Sequence, residues 1–349
     1  MNTPTPVFAS LQPAHAFEVD VHQHTLRVLL QGRPQLTLTA HRGWDHPVVS
    51  TTASVQEPGN ERQALMAACE GVFTRFPCVC HVDLETPESA ATRSMLADGV
   101  LIDNGAGGLR CAAQAFWQVP QPWLCKHSYG VAPQQYVMTA NNRHPLRPVP
   151  PAGVLYRRFI PWLGKTLTLA TADADRDLVA FNRWMNNPRV AHFWEEEGSL
   201  EQHHAYLRAL LKEPHAQPLI GRFDDEPFGY FEVYWAREDR ISPFYPADDF
   251  DRGLHLLVGE EAFRGKPYYT AWFSSLCHYL FLDDPRTQRI VCEPRHDNHR
   301  QIANFDRSGF ARLKHFDFPH KRALLVMLSR ERFFGERLYQ PLDAAHIIE

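Results

Sequence analysis

The sequence predicts a mixed α/β protein built from two consecutive domains, the second the larger. Three observations carry the prediction. Short alternating or apolar runs that read as strands are interleaved with segments of helical apolar spacing. The stretch NNRHPLRPVPPAG, residues 141–153, holds prolines at 145, 148, 150 and 151, a density that fits neither a helix nor a central strand and reads as a stiff linker. A helix–strand–helix succession before that stretch recurs after it. The expected division is an N-terminal α/β domain over 1–140, the linker, a second domain over 154–335 and a C-terminal tail over 336–349.

In the second domain, KTLTLATA from Lys165 alternates as a strand. Residues 177–185 have helical spacing through Leu178, Phe181, Trp184 and Met185, and stop at Asn186-Asn187-Pro188. A second helix spans 199–211 with Ser199 as its N-cap and Leu207, Leu210 and Leu211 among its apolar positions. Residues 219–223 and 228–235, joined by Asp224-Asp225-Glu226-Pro227, read as a hairpin. A strand over 253–258, a helix over 268–282, a strand over 289–293, a helix over 298–307 and a closing strand over 323–328 follow. The predicted order is β-α-α-β-β-β-α-β-α-β.

The N-terminal part echoes this. Residues 61–76 are helical through Leu65, Met66, Cys69, Val72, Phe73 and Phe76; 78–84 read as a strand; 89–97 form a helix ending at Asp98-Gly99. The match to 268–307 suggests a degenerate internal duplication with an offset of about 210 residues. A chance helix–strand–helix in any α/β domain is the competing account. The copy offers Asp83 and Glu85 but no basic turn before its helix, so it is expected to be inactive.

Composition excludes several functions. Hydrophobic residues make up 44% and charged residues 22% of the chain, ordinary values for a globular protein. A formal net charge of −4 argues against a nucleic-acid partner. No apolar run is long enough to span a membrane. The opening MNTPTPVFASLQPAHAF has neither a basic nor an apolar leader region, so a cytoplasmic location is expected. The seven cysteines form no CxxC pair and read as free, buried thiols. Although there are 19 histidines, no zinc-type spacing occurs and no metal is expected.

Chemistry concentrates in DRGLHLLVGEEAFRGKPYY, residues 251–269. A strand there carries one titratable ring, His255, and leads through Glu260–Lys266 into a helix, the arrangement in which exposed backbone amides bind a pyrophosphate. From the residues alone, His255 reads as a core histidine with satisfied nitrogens; a helix cap at Asp297 and solvated turn charges at Arg264 and Lys266 are the less favoured, competing accounts of those residues.

The second domain resembles the GCN5-related N-acetyltransferase (GNAT) superfamily. Its acyl-CoA turn stands here as Arg264, Gly265, Lys266, Pro267, Tyr268 and Tyr269, with two glycines missing. Its later helix motif stands as Asn298, Gln301, Phe305, Gly309 and Phe310. The stretches RWMNNPRVAHFWEEEGSLEQHHAYL, PLIGRFDDEPFGYFEVYWAREDRI, HYLFLDDPRTQR, EPRHDN and FDFPHKRA are similar to the siderophore-biosynthesis branch over roughly residues 155–330. Before residue 140 only AFWQVPQPWL reads like that branch.

The resemblance implies a catalytic pair, His255 with Asp297, the carboxylate orienting an imidazole that takes a proton. Phe305 replaces the superfamily's thiolate-protonating tyrosine, which leaves proton handling to that pair. The cofactor side would comprise Leu256, Leu257, Val258, Arg264, Gly265, Lys266, Tyr268 and Asn304, and the acceptor pocket Trp194, Glu232 and Tyr234. The run Glu195-Glu196-Glu197 reads as a solvated helix approach or as a partner for an amine.

The implied reaction moves an acetyl group from acetyl-CoA to the hydroxylated nitrogen of N6-hydroxylysine, forming a siderophore hydroxamate without a metal or covalent intermediate. Hydroxyputrescine or hydroxycadaverine acceptors, a succinyl donor, and a non-catalytic CoA-binding or scaffold protein remain open. For a lysine acceptor, Arg237, Arg240 and Arg252 are candidates to meet the carboxylate. Partners are the small-molecule acceptor and acyl-CoA, with a homodimer also considered.

Overall fold

The computed structural model describes residues 7–8, 10, 17–41, 43–53, 60–126, 134–139 and 142–341. The described residues up to Trp123, with Arg158–Gly164, make one compact unit; Leu124–Arg157 and Lys165–Pro341 make the other.

The first unit holds an eight-stranded sheet in the order Val7–Phe8, Phe17–His22, Thr25–Leu30, Arg33–Ala40, Val48–Ala53, His81–Glu85, Leu109–Ala112, Ile102–Asp103. Its first five strands are an antiparallel meander. Val48–Ala53 and His81–Glu85 then run parallel, with helix Glu61–Arg75 between them in sequence. The meander was not read from the sequence, although Phe17, Val19, Leu26, Val28, Leu36 and Leu38 are all buried and alternate with the period of a half-buried strand. Cys78 and Cys80 precede the strand rather than lie on it, and both are exposed.

The second unit repeats this topology. The second sheet, most of it in this unit, runs Val154–Ile160, Lys165–Thr171, Ala216–Phe223, Glu226–Trp235, Arg252–Val258, Arg289–Cys292, Arg322–Ser329, Ala311–Asp317. Here too the fifth and sixth strands are the parallel pair and the last two close the sheet antiparallel. Helix Lys266–Asp283 is buried from Ala271 to Asp283, as expected of a crossover helix linking two parallel strands.

Three local readings are corrected. Asn187-Pro188 does not merely end a helix: the Asn187 side chain caps a further helix, Pro188–Trp194, with proline in its first turn, where a missing amide costs nothing. Ala311–Asp317 is an unanticipated edge strand, and five of its first six residues break no rule of burial because they are exposed. Within the described residues, the proline-rich segment is more than a spacer. Asn142–Pro145 pairs with Tyr136–Thr139, and Arg147 is buried against Glu238 at 2.5 Å with its guanidinium over Trp235. Residue 141 and residues 342–349 of the expected linker and tail lie outside the described residues. Tyr339, within the expected tail, is buried against Phe333 and Phe334.

Candidate active site

Two features of the second sheet create the site. Strand Arg252–Val258 pairs with Glu226–Trp235 along its whole length, but with Arg289–Cys292 only through Arg252 and Gly253. Past Gly253 the parallel strands part. Gly253 is required at the fork because a Cβ there would lie 2.0 Å from the Tyr234 ring.

His255 sits just beyond the fork. It is directly opposite Glu232, so both side chains leave the same face of the sheet. Nδ1 lies 3.1 Å from Glu232 Oε2 and Nε2 lies 2.8 Å from Glu293 Oε1. The carboxylates are held in turn: Tyr206 and Tyr230 donate to Glu232 Oε1 at 2.6 and 2.9 Å, and Tyr234 donates to Glu293 Oε2 at 2.9 Å. The Lys321 ammonium stands 3.9 Å and the Arg240 guanidinium 3.8 Å from Glu293.

Burial disfavours a charged imidazole, but the Glu293 charge and the hydrogen bonds to both carboxylates outweigh it and push the His255 pKa up to about 10. Burial likewise opposes ionisation of Glu293, and the His255 charge and hydrogen bond, with Lys321 and Arg240 behind them, bring it down to about 2. Glu232 is lowered by the same contest between burial and His255. At neutral pH the centre is therefore an imidazolium donating from both nitrogens to two carboxylates. The ring is thus already protonated, whereas the resemblance implied an imidazole that takes a proton.

Asp297 does not join it. Its carboxylate takes both forks of Arg295, at 3.0 and 2.7 Å, which lowers its pKa to about 2. The cause is position: Glu293 directly follows the strand Arg289–Cys292 beside the fork and is buried, whereas Asp297 lies four residues on in an exposed turn. Arg295 also donates to the His192 carbonyl at 3.2 Å, so Asp297 steadies the end of helix Pro188–Trp194. Trp194, at that end, places its ring 6.2 Å from His255. Glu232 and Tyr234, expected to touch the acceptor, are buried and hold His255 instead. His296 is exposed, beside the Arg322 carbonyl.

On the cofactor side, the Val258 carbonyl accepts from Arg189 at 2.5 Å, while the Leu257 carbonyl faces Gly229 on the neighbouring strand. A strand residue's N–H and C=O point the same way and alternate along the chain. Leu256 and Val258 thus present backbone groups to the open edge, whereas Leu257 is engaged with its neighbour and its side chain is core. Gly265 has φ +101° and starts helix Lys266–Asp283 without a side-chain cap, leaving a helix N-terminus suited to an anion. Arg264 donates to the Gly259 carbonyl at 3.1 Å, next to the carbonyl that Arg189 holds. Burial, then the charges of Arg264 and Arg300, lower the Arg189 pKa. Tyr268 packs on Phe223 and Phe263. Asn304 accepts from Arg307 at 2.5 Å and has no described contact with the turn. Phe305 is buried against Phe273 and Phe310.

Cys292, adjacent to Glu293, is kept a thiol by burial and by that carboxylate, so it is no nucleophile. Among the described residues, no group of three or more His, Cys, Asp or Glu side chains could hold a metal ion. No described helix is long and apolar enough to cross a membrane.

A split parallel pair beside a helix N-terminus, with a titratable centre at the fork, defines an acyl-CoA-type transferase fold. Comparison with known proteins agrees: the Acetyltransferase (GNAT) domain family matches residues 173–318. The N(6)-hydroxylysine O-acetyltransferase of Escherichia coli is 48% identical over 224 residues, 64% of this chain and 70% of that protein. The hydroxyornithine transacylase of Ajellomyces capsulatus is 36% identical over 79% of this chain and 66% of that protein. The crystal structure of an uncharacterized protein from Bacillus halodurans shares the fold, with a TM-score of 0.51 and 26% identity over 54% of this chain and 96% of that one. The chain belongs to the GNAT acyltransferase family, among relatives named for acyl transfer to hydroxylated lysine and ornithine.

Proposed function

We propose that this chain transfers an acetyl group from acetyl-CoA to the hydroxylated side-chain nitrogen of N6-hydroxylysine, giving a hydroxamate. The observation that carries the proposal is the Glu232–His255–Glu293 centre at the mouth of the fork. Acyl-CoA would enter along the open edge at Leu256 and Val258, with its pyrophosphate at Arg264, Gly265 and Lys266. Catalysis is assigned to the second unit, because Val48–Ala53, the topological counterpart of the His255 strand, has no ionisable side chain.

A hydroxylamine reaches the site largely unprotonated and nucleophilic. It attacks the thioester carbonyl, polarised by an open-edge amide, and the C–S bond breaks as the C–N bond forms. The imidazolium gives its proton to the departing thiolate, and the ring so freed takes the proton that the nitrogen loses, with both carboxylates holding it in place. The net transfer carries one proton from nitrogen to sulfur. Free lysine, with a side-chain pKa of about 10.4, arrives as an ammonium that this centre is poorly equipped to deprotonate.

The test is mass-spectrometric product analysis with acetyl-CoA or succinyl-CoA and a panel of lysine, N6-hydroxylysine, N5-hydroxyornithine and hydroxylated diamines. The expected product is singly acetylated N6-hydroxylysine that binds ferric iron, as a hydroxamate does and an O-acyl ester does not. Equal turnover of lysine near neutral pH would sink the reading. A dominant hydroxyornithine product would move the assignment to the acceptor for which the Ajellomyces relative is named.

A further inference from the structure

Among the described residues, Arg240 makes no hydrogen bond to a carboxylate. Arg240 Nη2 lies 3.4 Å from His255 Nε2, but that nitrogen already donates to Glu293, and a guanidinium has no acceptor to offer in return. The contact is thus between two donors. The closest carboxylate described for Arg240 is Glu293 at 3.8 Å, whose oxygens already serve His255 and Tyr234. Lys321 shares the position: it donates to the Glu293 carbonyl at 3.0 Å. The Phe318 ring lies under both cations, at 5.6 Å from the Arg240 guanidinium and 5.4 Å from the Lys321 ammonium. Asp239 is nearby, its carboxyl pushed up by burial and by Glu293 and drawn down by His255 and Arg240.

The other arginines are engaged. Arg252 is buried on Asp283 at 2.8 Å, Arg237 donates to the Arg143 and Ala247 carbonyls, and Arg295 is clamped by Asp297. Arg240 is also 48% exposed, so its outer edge is open to an incoming molecule.

We infer that Arg240, supported by Lys321, reads the α-carboxylate of the acyl acceptor, making the enzyme selective for hydroxylated amino acids over hydroxylated diamines. The inference rests on the hydroxylated-amine reading above. The width of the guanidinium and one hydrogen bond separate a carboxylate on its outer edge from the His255 ring. That spacing suits an acceptor whose carboxylate and reacting nitrogen are several bonds apart. A planar fork is also the donor geometry that a carboxylate fits.

The experiment titrates N6-hydroxylysine and N-hydroxycadaverine, the same molecule without its carboxylate, into the CoA-bound full chain by calorimetry, with turnover followed in parallel. Wild type should bind the amino acid more tightly, and Arg240→Ala should shrink that preference by about 10- to 100-fold, the worth of a hydrogen bond to a charged group. Arg240→Lys should fall between, retaining charge without the fork. No preference in wild type, an unchanged preference in Arg240→Ala, or an equal loss for both ligands would overturn the inference. A carboxylate preference in binding without acylation of either compound would uphold it and defeat the hydroxamate reading alone.

Discussion

Glu232 and His255 stand directly opposite each other on adjacent antiparallel strands, 3.1 Å apart, with Glu293 closing on the other ring nitrogen at 2.8 Å. The consequence is electrostatic. Two buried carboxylates share one imidazolium, so ring and carboxylates hold each other in their charged forms, and the set works as a proton exchanger with its hydrogen bonds already made.

Replacing His255 by Ala should lower turnover by about 10²- to 10⁴-fold with little change in acetyl-CoA affinity. It would also leave two buried carboxylates facing each other, so stability should drop by about 3–5 kcal/mol, the usual cost of breaking a buried pair. Steady-state kinetics and urea unfolding read the two effects; His255→Gln, which keeps a hydrogen-bonding side chain, separates them. Wild-type turnover in either variant would remove the ring from the mechanism.

Glu293→Gln should release the imidazole. With its main anionic partner gone, the His255 pKa should fall from about 10 toward the neutral range, visible as a new titration of its ring resonances in NMR. Turnover should fall as well. An unshifted resonance would show that Glu232 alone holds the proton.

The charged centre also sets a stability profile. His255 is raised from 6.5 to about 10 on folding, so its contribution is complete below pH 6.5 and lost as the pH rises toward 10. Glu293 is lowered from 4.5 to about 2, so its contribution is complete above pH 4.5 and lost as the pH falls toward 2. The difference in unfolding free energy between wild type and a His255→Gln, Glu293→Gln double variant should therefore be largest between these limits and shrink on both sides. A difference independent of pH would contradict the charged form.

Arg264→Ala with Lys266→Ala should raise the KM for acetyl-CoA more than that for the acceptor, through lost charge-assisted contacts to the pyrophosphate. Arg189→Ala should act in the same direction, because its guanidinium holds the Val258 carbonyl beside the same turn. A rise confined to the acceptor KM would assign the turn to the other pocket.

Asp297→Asn should be mild. Asp297 acts on Arg295 and, through the His192 carbonyl, on the end of the Trp194 helix, so the expected change is a higher acceptor KM at nearly unchanged kcat. A kcat loss matching that of His255→Ala would restore Asp297 to the proton path.

Much of the second unit is legible in the sequence alone. Helices 177–185 and 199–211 and hairpin 219–235 follow from local spacing, caps and turn residues, which neighbouring residues alone specify. Ser199 caps through a reciprocal box with Gln202, and Asp224 and Asp225 adopt the positive φ of a tight hairpin turn. Helix Pro188–Trp194 was also signalled, by Asn187 before a proline, but its shortness let the pair read as a stop. The first unit's meander shows in the sequence only as short alternating runs, a weaker local signal than the helical spacing that follows it.

His255 as the centre was legible through the family likeness; its partners were not. A glutamate within FGYFEVYW and another ending RIVCE are buried charges in apolar strands, and such charges demand a counter-ion. Local sequence states that demand without saying which residue answers it. The choice of Glu293 over Asp297 depends on where two strands separate. The roles of Tyr206, Arg240 and Lys321 depend on a helix and two loops converging from distant parts of the chain. By itself the sequence determined the element types, the acyl-transferase likeness and the position of the titratable ring, because each rests on residues close together in the chain. Only the tertiary structure decided which charges meet that ring, because cross-strand register and the fork bring together Glu232, His255 and Glu293, and the ring's protonation follows from their distances.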